Sequence, residues 1–405
     1  MYFCSMNRDK DFKMVATTMF GLEELLAKEL RDLGGQDIVV GVRNVSFKGD
    51  KGFMYKANIA LRTAIRVLVP IKVTKIYDEE DLYDAVKKVK WENYMDVDGT
   101  FAIGAVSNSK NITSHSHYVS LKSKDAIADY FREKFGRRPN VDLDYPSLKI
   151  HIHIQKDYLT ISLDSSGDSL HKRGYRTATN IAPINEVLAA GLVLLSGYTG
   201  EENFIDPMCG SGTILIEAAM IANNIPANIN RKLFAFENWK DYDEDLYYLI
   251  QDVLLKKIRN CHYKIMGFDK APSAVQKAQD NVVSANLDEF IGVHHVNFFN
   301  SKKEVFGETT ILFNPPYGER LNVDTQEFYK KIGDTLKHGY PDSKVWFITS
   351  DLQALKHVGL RTSKRIPLKN GDLDCRLVRY DMYAGTRKIR ADERELPETE
   401  TDLED

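Results

Sequence analysis

The sequence predicts an α/β chain in which a doubly wound, mostly parallel sheet follows smaller α+β modules. Three observations carry this. From about residue 183 onward, apolar strand-like runs alternate with amphipathic helical stretches, the pattern of parallel strands joined by crossover helices. One of those runs ends in a glycine turn that opens a helix, DPMCGSGTILIEA at 206–218. In the first half the strands are short and the helices fall irregularly between them, which suits α+β modules better than one long parallel sheet.

The elements follow in order. FKMVATT is apolar and β-branched and reads as a strand; GLEELLAKELRDLGG is an amphipathic helix stopped by two glycines; IVVGVRNVSFKG is strand-like. A helix over ALRTAIRVLVPI and a strand over KVTKIYD are expected next, then helix DLYDAVKKVKW and strand FAIGAVS. Helix KDAIADYFREKFG and the strands SLKIHIHIQ and YLTISLDSS close the first half, and a domain boundary is expected near Ser165–Arg176. The second half opens with helix PINEVLAAGLVLLSG and strand NFIDPMC, then the glycine turn and helix TILIEAAMIANN. Residues Asn223–Tyr263 read as an insertion carrying its own helices. After it come strand KIMGFD, helix APSAVQKAQDNVVSAN, the strands IGVHHVNF and TTILFNPPYG, helix TQEFYKKIGDTLKHG and strand KVWFITS.

A chain of 405 residues can hold two or three cores. Its longest apolar run, Val187–Leu195, is too short to cross a bilayer, and its first residues hold no apolar signal core, so no membrane partner and a cytoplasmic location are expected. The four cysteines are widely spaced and form no CxxC pair, and the histidine pairs His115/His117 and His151/His153 lack a third ligand, so no metal is expected. Asp392–Asp405 carries eight acids and one Arg, which leaves the rest of the chain mildly basic; this tail, 391–405, reads as disordered.

Three stretches bear chemistry. In the loop Asp206, Pro207, Met208, Cys209, Gly210, Ser211, Gly212 and Thr213, the glycines let the backbone approach a ligand, and the helix N-terminus offers free N–H groups to an anion. The loop is neither GxGxxG nor a phosphate-binding GxxxxGK[ST]. Asp269 ends the next strand, where an acid in a doubly wound sheet bonds a ribose diol; capping of the following helix would equally explain it. At 311–317, ILFNPPY, an apolar strand ends abruptly, because Pro315 and Pro316 cannot continue a ladder. That leaves Asn314 and Tyr317 in a stiff corner at the same sheet edge, the edge where such folds bind ligands.

With these stretches on view, together with SLHKRGYR, KDAIADYFREKFGRRPNVD and NGDLDCRL, the chain resembles the THUMP-domain RNA guanine-N2 methyltransferases from about residue 5 to 390. The resemblance implies a ferredoxin-like region at 1–65, a THUMP module at 66–165 and a class I, Rossmann-like methyltransferase domain at 166–390. It implies S-adenosyl-L-methionine as cofactor, held by residues 206–213 with Asp269 on the ribose and Asn314 alongside; Asn297 stands where the family usually has an acid at the adenine. It implies catalysis by Asn314, Pro315, Pro316 and Tyr317: the Asn314 side chain and the Pro315 carbonyl accept the two N–H groups of the base amine, and Tyr317 stacks on the extruded base. RNA is then the expected partner, large-subunit ribosomal RNA first and tRNA as rival.

Two basic sets could meet that RNA. One is Lys172, Arg173 and Arg176 in SLHKRGYR, otherwise a solvated linker; the other is Lys110, Lys122, Lys124, Arg137 and Arg138, otherwise a solvated helix face. Glu319 and Arg320 either close over the site or pair with each other. Two further classes stay open: an RNA-binding protein with a silent methyltransferase scaffold, and a protein glutamine methyltransferase that shares NPPY.

Overall fold

The computed structural model describes residues 10–109, 112, 115–177, 183–316 and 324–383. Two sheets organise them. The first has eight strands in the order β2-β3-β1-β4-β8-β7-β5-β6. These are β1 (Phe12–Thr18), β2 (Gln36–Val40), β3 (Asn44–Gly49), β4 (Ala64–Lys75), β5 (Thr100–Asn108), β6 (Asn140–Val141), β7 (Leu148–Gln155) and β8 (Tyr158–Asp164). Between them lie α1 (Glu23–Leu33), α2 (Lys51–Ala60), α3 (Glu79–Lys87) and α4 (Ser116–Phe135).

The helix expected over Ala60–Ile71 does not form; Ala64–Lys75 is one long strand. The sequence carries the reason: Ile65, Val67, Val69 and Ile71 alternate with period two, and Pro70 would break a helix. Pro70 is accommodated where the pairing with β8 slips register, between Pro70 and Lys72. The helix lies earlier instead. α2 is started by Asp50, whose side chain accepts from the Phe53 N–H at 2.6 Å. β4 pairs with β1 through Ala64–Leu68 and with β8 through Leu68–Lys75, so it crosses the expected junction at 65/66 and makes one sheet of the first two modules.

The second sheet has seven strands in the order β11-β10-β9-β12-β13-β15-β14. β9 (Asn203–Asp206), β10 (Ile265–Asp269), β11 (Ile291–His295), β12 (Thr309–Phe313) and β13 (Ser343–Thr349) are parallel. A hairpin of β14 (Lys364–Asn370) and β15 (Leu373–Met382) adds two antiparallel strands. All five residues of β12 are buried, as a parallel strand covered on both faces requires. α5 (Glu186–Ser196), α6 (Thr213–Ala222) and α8 (Pro272–Ser284) cover one face, and α9 (Thr325–Gly339) the other. Between β11 and β12 the chain makes only a single 3-10 turn, Phe298–Asn300. The missing helix leaves a cavity of about 1100 Å³ against Phe268, Asn297, Phe299 and the α9 side chains Lys331 and His338.

The insertion clamps the halves together. Its helix α7 (Glu244–Leu255) and the turn before it bring Phe236, Tyr242 and Tyr247 around Tyr55 of α2, with Phe236 stacked on Tyr55 at 4.5 Å. Asn228 donates to the Asn58 carbonyl at 2.8 Å, and Lys51 pairs with Asp241 at 3.0 Å. Ring stacking of this kind adds about 0.5–1.5 kcal/mol per pair beyond the area it buries.

Candidate active site

The parallel register brings three strand ends together. Ile311 of β12 sits beside Ile205 of β9, and Gly267 of β10 beside Asp206. Asp206 closes β9, Asp269 closes β10, and Asn314 follows the last residue of β12, so all three stand at the carboxyl edge of neighbouring parallel strands. The glycine loop follows β9, the middle strand of the three.

The loop's shape is fixed by short bonds. Gly210 (φ 55°) and Gly212 (φ 80°) lie in the left-handed region, and a Cβ on Gly212 would stand 3.2 Å from Ala278 of α8. Met208 N–H donates to Asp206 Oδ1 at 3.1 Å, and Gly210 N–H to Asp269 Oδ2 at 3.0 Å. Asp269 Oδ1 accepts from Ala271 N–H at 2.9 Å, and Ala271, not Asp269, occupies the cap position of α8. Asp269 therefore shapes the loop with its own carboxylate, a role the strand-end position alone does not suggest.

Asp206 is almost fully buried. Burial pushes its carboxyl well above the usual range; the Met208 N–H opposes this and the neighbouring Asp269 adds to it. Burial likewise pushes the Cys209 thiol up, which leaves it a small apolar filler rather than a nucleophile. Pro207, Ser211 and Thr213 complete the loop, and Asn281 of α8 donates to the Ser211 carbonyl at 3.0 Å.

At the corner, Asn314 is half-buried, Pro315 buried and Pro316 partly exposed. Asn314 Oδ1 is a buried acceptor with no donor among the described residues. A buried amide oxygen left unpaired costs on the order of 1–3 kcal/mol, so a donor is expected at this atom. Asn297 lies two residues beyond β11 and opens onto the large cavity; its Oδ1 accepts from Phe299 N–H at 3.1 Å, so it caps the Phe298–Asn300 turn. Tyr317, Glu319, Arg320 and Lys110 lie outside the described residues.

The basic residues divide. Arg173 corrects the expectation that it faces RNA: it is 1% exposed and pairs with Glu217 of α6, itself 0% exposed, at 3.2 Å. It also donates to the carbonyls of Leu170 at 2.8 Å and Arg62 at 2.5 Å and to Asn228 Oδ1 at 3.1 Å. The reason is Glu217. Every residue of α6 is buried, so a carboxylate on it has no wet side and needs a cation. Burial still pushes Glu217 upward, and the Arg173 charge opposes it. Sequence periodicity cannot reveal that partner, since the two lie 44 positions apart.

Arg176 is partly buried, bonded to Glu186 at 2.8 Å and to Thr213 Oγ1 at 3.0 Å, beside the glycine loop. Lys172 is exposed, in an i,i+4 pair with Asp168. On the first half, Lys122 stands over the Tyr83 ring at 5.5 Å, Lys124 meets Asp125 at 3.1 Å, and Arg137 holds Asp98 through two bonds of 2.7 and 3.0 Å. Arg138 is exposed. Among the described residues no group of His, Cys, Asp and Glu could hold a metal ion, and no helix is long and apolar enough to cross a membrane.

Against known families, residues 173–379 match the RMKL-like methyltransferase domain, 77–164 the THUMP domain and 13–68 the RlmL ferredoxin-like domain. The chain is 35% identical over 371 residues to a Synechocystis protein provisionally named RNA methyltransferase slr0064, covering 91% of this chain and 96% of that one. It is also 35% identical to the ribosomal RNA large subunit methyltransferase K/L of Syntrophotalea carbinolica, covering 97% of this chain but only 56% of that protein, so it spans about half the length of such relatives. Among solved structures it resembles SMU.472, a protein crystallised with SAH (TM-score 0.83, 31% identity, 93% of this chain and 100% of that one). It also resembles a Listeria monocytogenes protein titled an N6-adenine-specific DNA methylase (TM-score 0.82, 31% identity, 92% and 97%).

Proposed function

Because the chain belongs to the RMKL-like methyltransferase family, we propose that it methylates the exocyclic N2 amine of a guanosine in RNA, with large-subunit ribosomal RNA as the substrate and S-adenosylmethionine as the donor. The observation that carries this reading is the Asn314 carbonyl oxygen, buried without a donor among the described residues at the end of the strand that neighbours β9. An amine brought there meets an acceptor that is already desolvated.

The residues present fit the donor. The Asp206 carboxyl is desolvated with no cation beside it among the described ion pairs, which suits a ligand carrying positive charge. The glycine loop and the first N–H groups of α6 suit a carboxylate end, and we assign Asp269 to the ribose and Asn297 to the adenine on their positions past the ends of β10 and β11. When bound, S-adenosylmethionine supplies an electrophilic methyl group.

The chain's own contribution is positional and electrostatic. Asn314 Oδ1 and the Pro315 carbonyl accept the two N–H groups of the amine, which turns the nitrogen lone pair toward the donor. Pro315 and Pro316 keep that pair of acceptors stiff, and Tyr317 stacks on the extruded base. RNA rather than DNA or protein follows from the THUMP match over residues 77–164, and ribosomal RNA from the names of the curated relatives. The test is nucleoside mass spectrometry of ribosomal RNA and tRNA from a strain lacking the gene. Loss of N2-methylguanosine from large-subunit RNA is expected. Its loss from tRNA alone would move the substrate, and an unchanged nucleoside profile with a loss of N6-methyladenine from DNA would overturn the reading.

A further inference from the structure

In the segment that joins the two halves lies a second cavity, of about 450 Å³, whose wall includes His171, Lys172, Arg173, Arg176, Asn185 and the Glu186 carboxylate. Resting on the RNA reading above, we propose that this cavity seats a backbone phosphate of the RNA strand as it passes from the N-terminal modules to the methylation corner, with Lys172 and His171 as the groups that touch it.

Position is the first argument. The segment that builds the cavity is tied to both halves. Leu170 N–H donates to the Ile65 carbonyl of β4 at 2.8 Å, and Thr177 N–H to Asn281 Oδ1 at 3.0 Å; Asn281 in turn holds the Ser211 carbonyl of the glycine loop. The segment thus runs from the first sheet to the glycine loop, the course a strand held by both would follow.

Charge is the second. Burial first, and then the charges of Arg173, Lys172, Arg176 and Arg231, disfavour protonation of the His171 ring. Three of these cations have carboxylate partners: Asp168, Glu217 and Glu186. Arg231 does not take part in any described ion pair. Its guanidinium donates to four main-chain carbonyls, those of Ser166, Asp168, Ser169 and Lys172, at 2.7 to 3.3 Å. Arg231 stands outside the cavity wall, and Asp168 and Asp164 act on its charge from further off; within the wall the cations Lys172, Arg173 and Arg176 outnumber the one carboxylate, Glu186.

Exchangeability is the third. The Lys172–Asp168 pair is an exposed i,i+4 pair on both sides, the kind that contributes little, so Lys172 can leave it for a phosphate. The floor, by contrast, is fixed. Arg173 is buried in it, and Gly174 adopts φ +98° against Asn230, a conformation that other side chains rarely take. Arg176 keeps one buried nitrogen, Nη1, without a partner among the described residues. Loosely held ligating groups over a rigid cationic floor are what a salt-sensitive phosphate seat needs.

The test uses the full chain, a single-stranded oligouridylate carrying one guanosine, and fluorescence anisotropy over a salt series. For the double variant His171→Gln, Lys172→Gln, the expected result is roughly tenfold weaker binding at low salt, with the slope of log K against log salt shallower by ~0.7 for the lost contact. Circular dichroism and titration with S-adenosylhomocysteine should match the parent protein, which separates this effect from a folding or cofactor defect. A scan with one neutral methylphosphonate linkage should find a position beside the guanosine that weakens the parent protein but not the double variant. An unchanged salt slope in the double variant, while the parent binds the oligonucleotide, overturns the pocket and leaves the RNA reading standing. Failure of the parent protein to bind any RNA sinks that reading and the pocket with it. Stabilisation by inorganic phosphate without a position-dependent linkage effect marks a free-anion site and also overturns the proposal.

Discussion

The two sheets use the same number of helices and strands, within a few, to opposite ends. In the second sheet five parallel strands all finish at one edge, so residues far apart in sequence, Asp206, Asp269 and Asn314, meet there by register alone. In the first sheet neighbouring strands mostly run antiparallel, so their ends alternate between edges and no common rim exists. Its charged side chains are spread along helix surfaces instead, most of them already beside an acid or a ring. Parallel topology concentrates function on single residues; antiparallel topology distributes it. The join between the sheets is a third case, in which buried charge does mechanical work.

That join gives the largest expected effect. Glu217→Gln leaves the Arg173 guanidinium buried with no carboxylate, and removing one member of a buried pair costs about 3–5 kcal/mol. Thermal or urea unfolding should show a loss of this size, whereas Asp168→Asn, which removes the exposed partner of Lys172, should change stability by less than ~0.5 kcal/mol. Equal effects from the two would erase the distinction between the buried and the exposed pair.

Concentration at the rim predicts the next. Asn314→Ala should lower turnover by ~10²–10³, the size seen when one preorganised polar group is removed from an active site, while binding of S-adenosylhomocysteine by calorimetry persists. Turnover within a few-fold of the parent would remove Asn314 from the mechanism.

Distribution predicts a weaker response in the first sheet. Replacing Lys122, Lys124 and Arg137 together should cost less than about tenfold in RNA affinity at low salt and almost nothing at high salt. Each residue already has a partner: Tyr83, Asp125 or Asp98. A loss as large as that at the rim, from any one of these three alone, would break the contrast between the sheets.

The same contrast explains what was legible in the sequence. The glycine loop, Asp269 and the Asn-Pro-Pro corner are local motifs at strand ends, and a parallel sheet turns local motifs into a shared site without further information. The strand at Ala64–Lys75 was legible only to a reader who weighed Pro70 and the two-residue alternation above the apolar content of the stretch. Arg173 was not legible at all. SLHKRGYR shows a run of cations, but which of them turns inward depends on Glu217 in a helix wholly covered by the other elements. The β14–β15 hairpin was missed for a related reason: it follows the alternating pattern and inserts β15, which runs against its neighbours, beside the parallel strands.

The smallest effect concerns pH and belongs to the first sheet. His151 lies on β7, opposite Gly104 of β5, with His153 two residues on along the same face. Burial lowers its pKa from the ordinary value near 6.5 to about 4, and the charges of His153 and Arg66 push the same way. The folded chain thus holds His151 neutral where the unfolded chain would protonate it. Stability from this source is fully present above pH ~6.5 and is lost as pH falls toward the folded value, on the order of 1 kcal/mol by about pH 5.5. His151→Gln removes the titrating ring, so urea midpoints measured across this window should fall less steeply with acid than in the parent protein. His153, whose pKa is also lowered by burial, should supply the slope that remains. If the parent and the variant lose stability in parallel as the pH is lowered, the His151 ring is not held neutral by the fold, and the acid sensitivity of the first sheet has another source.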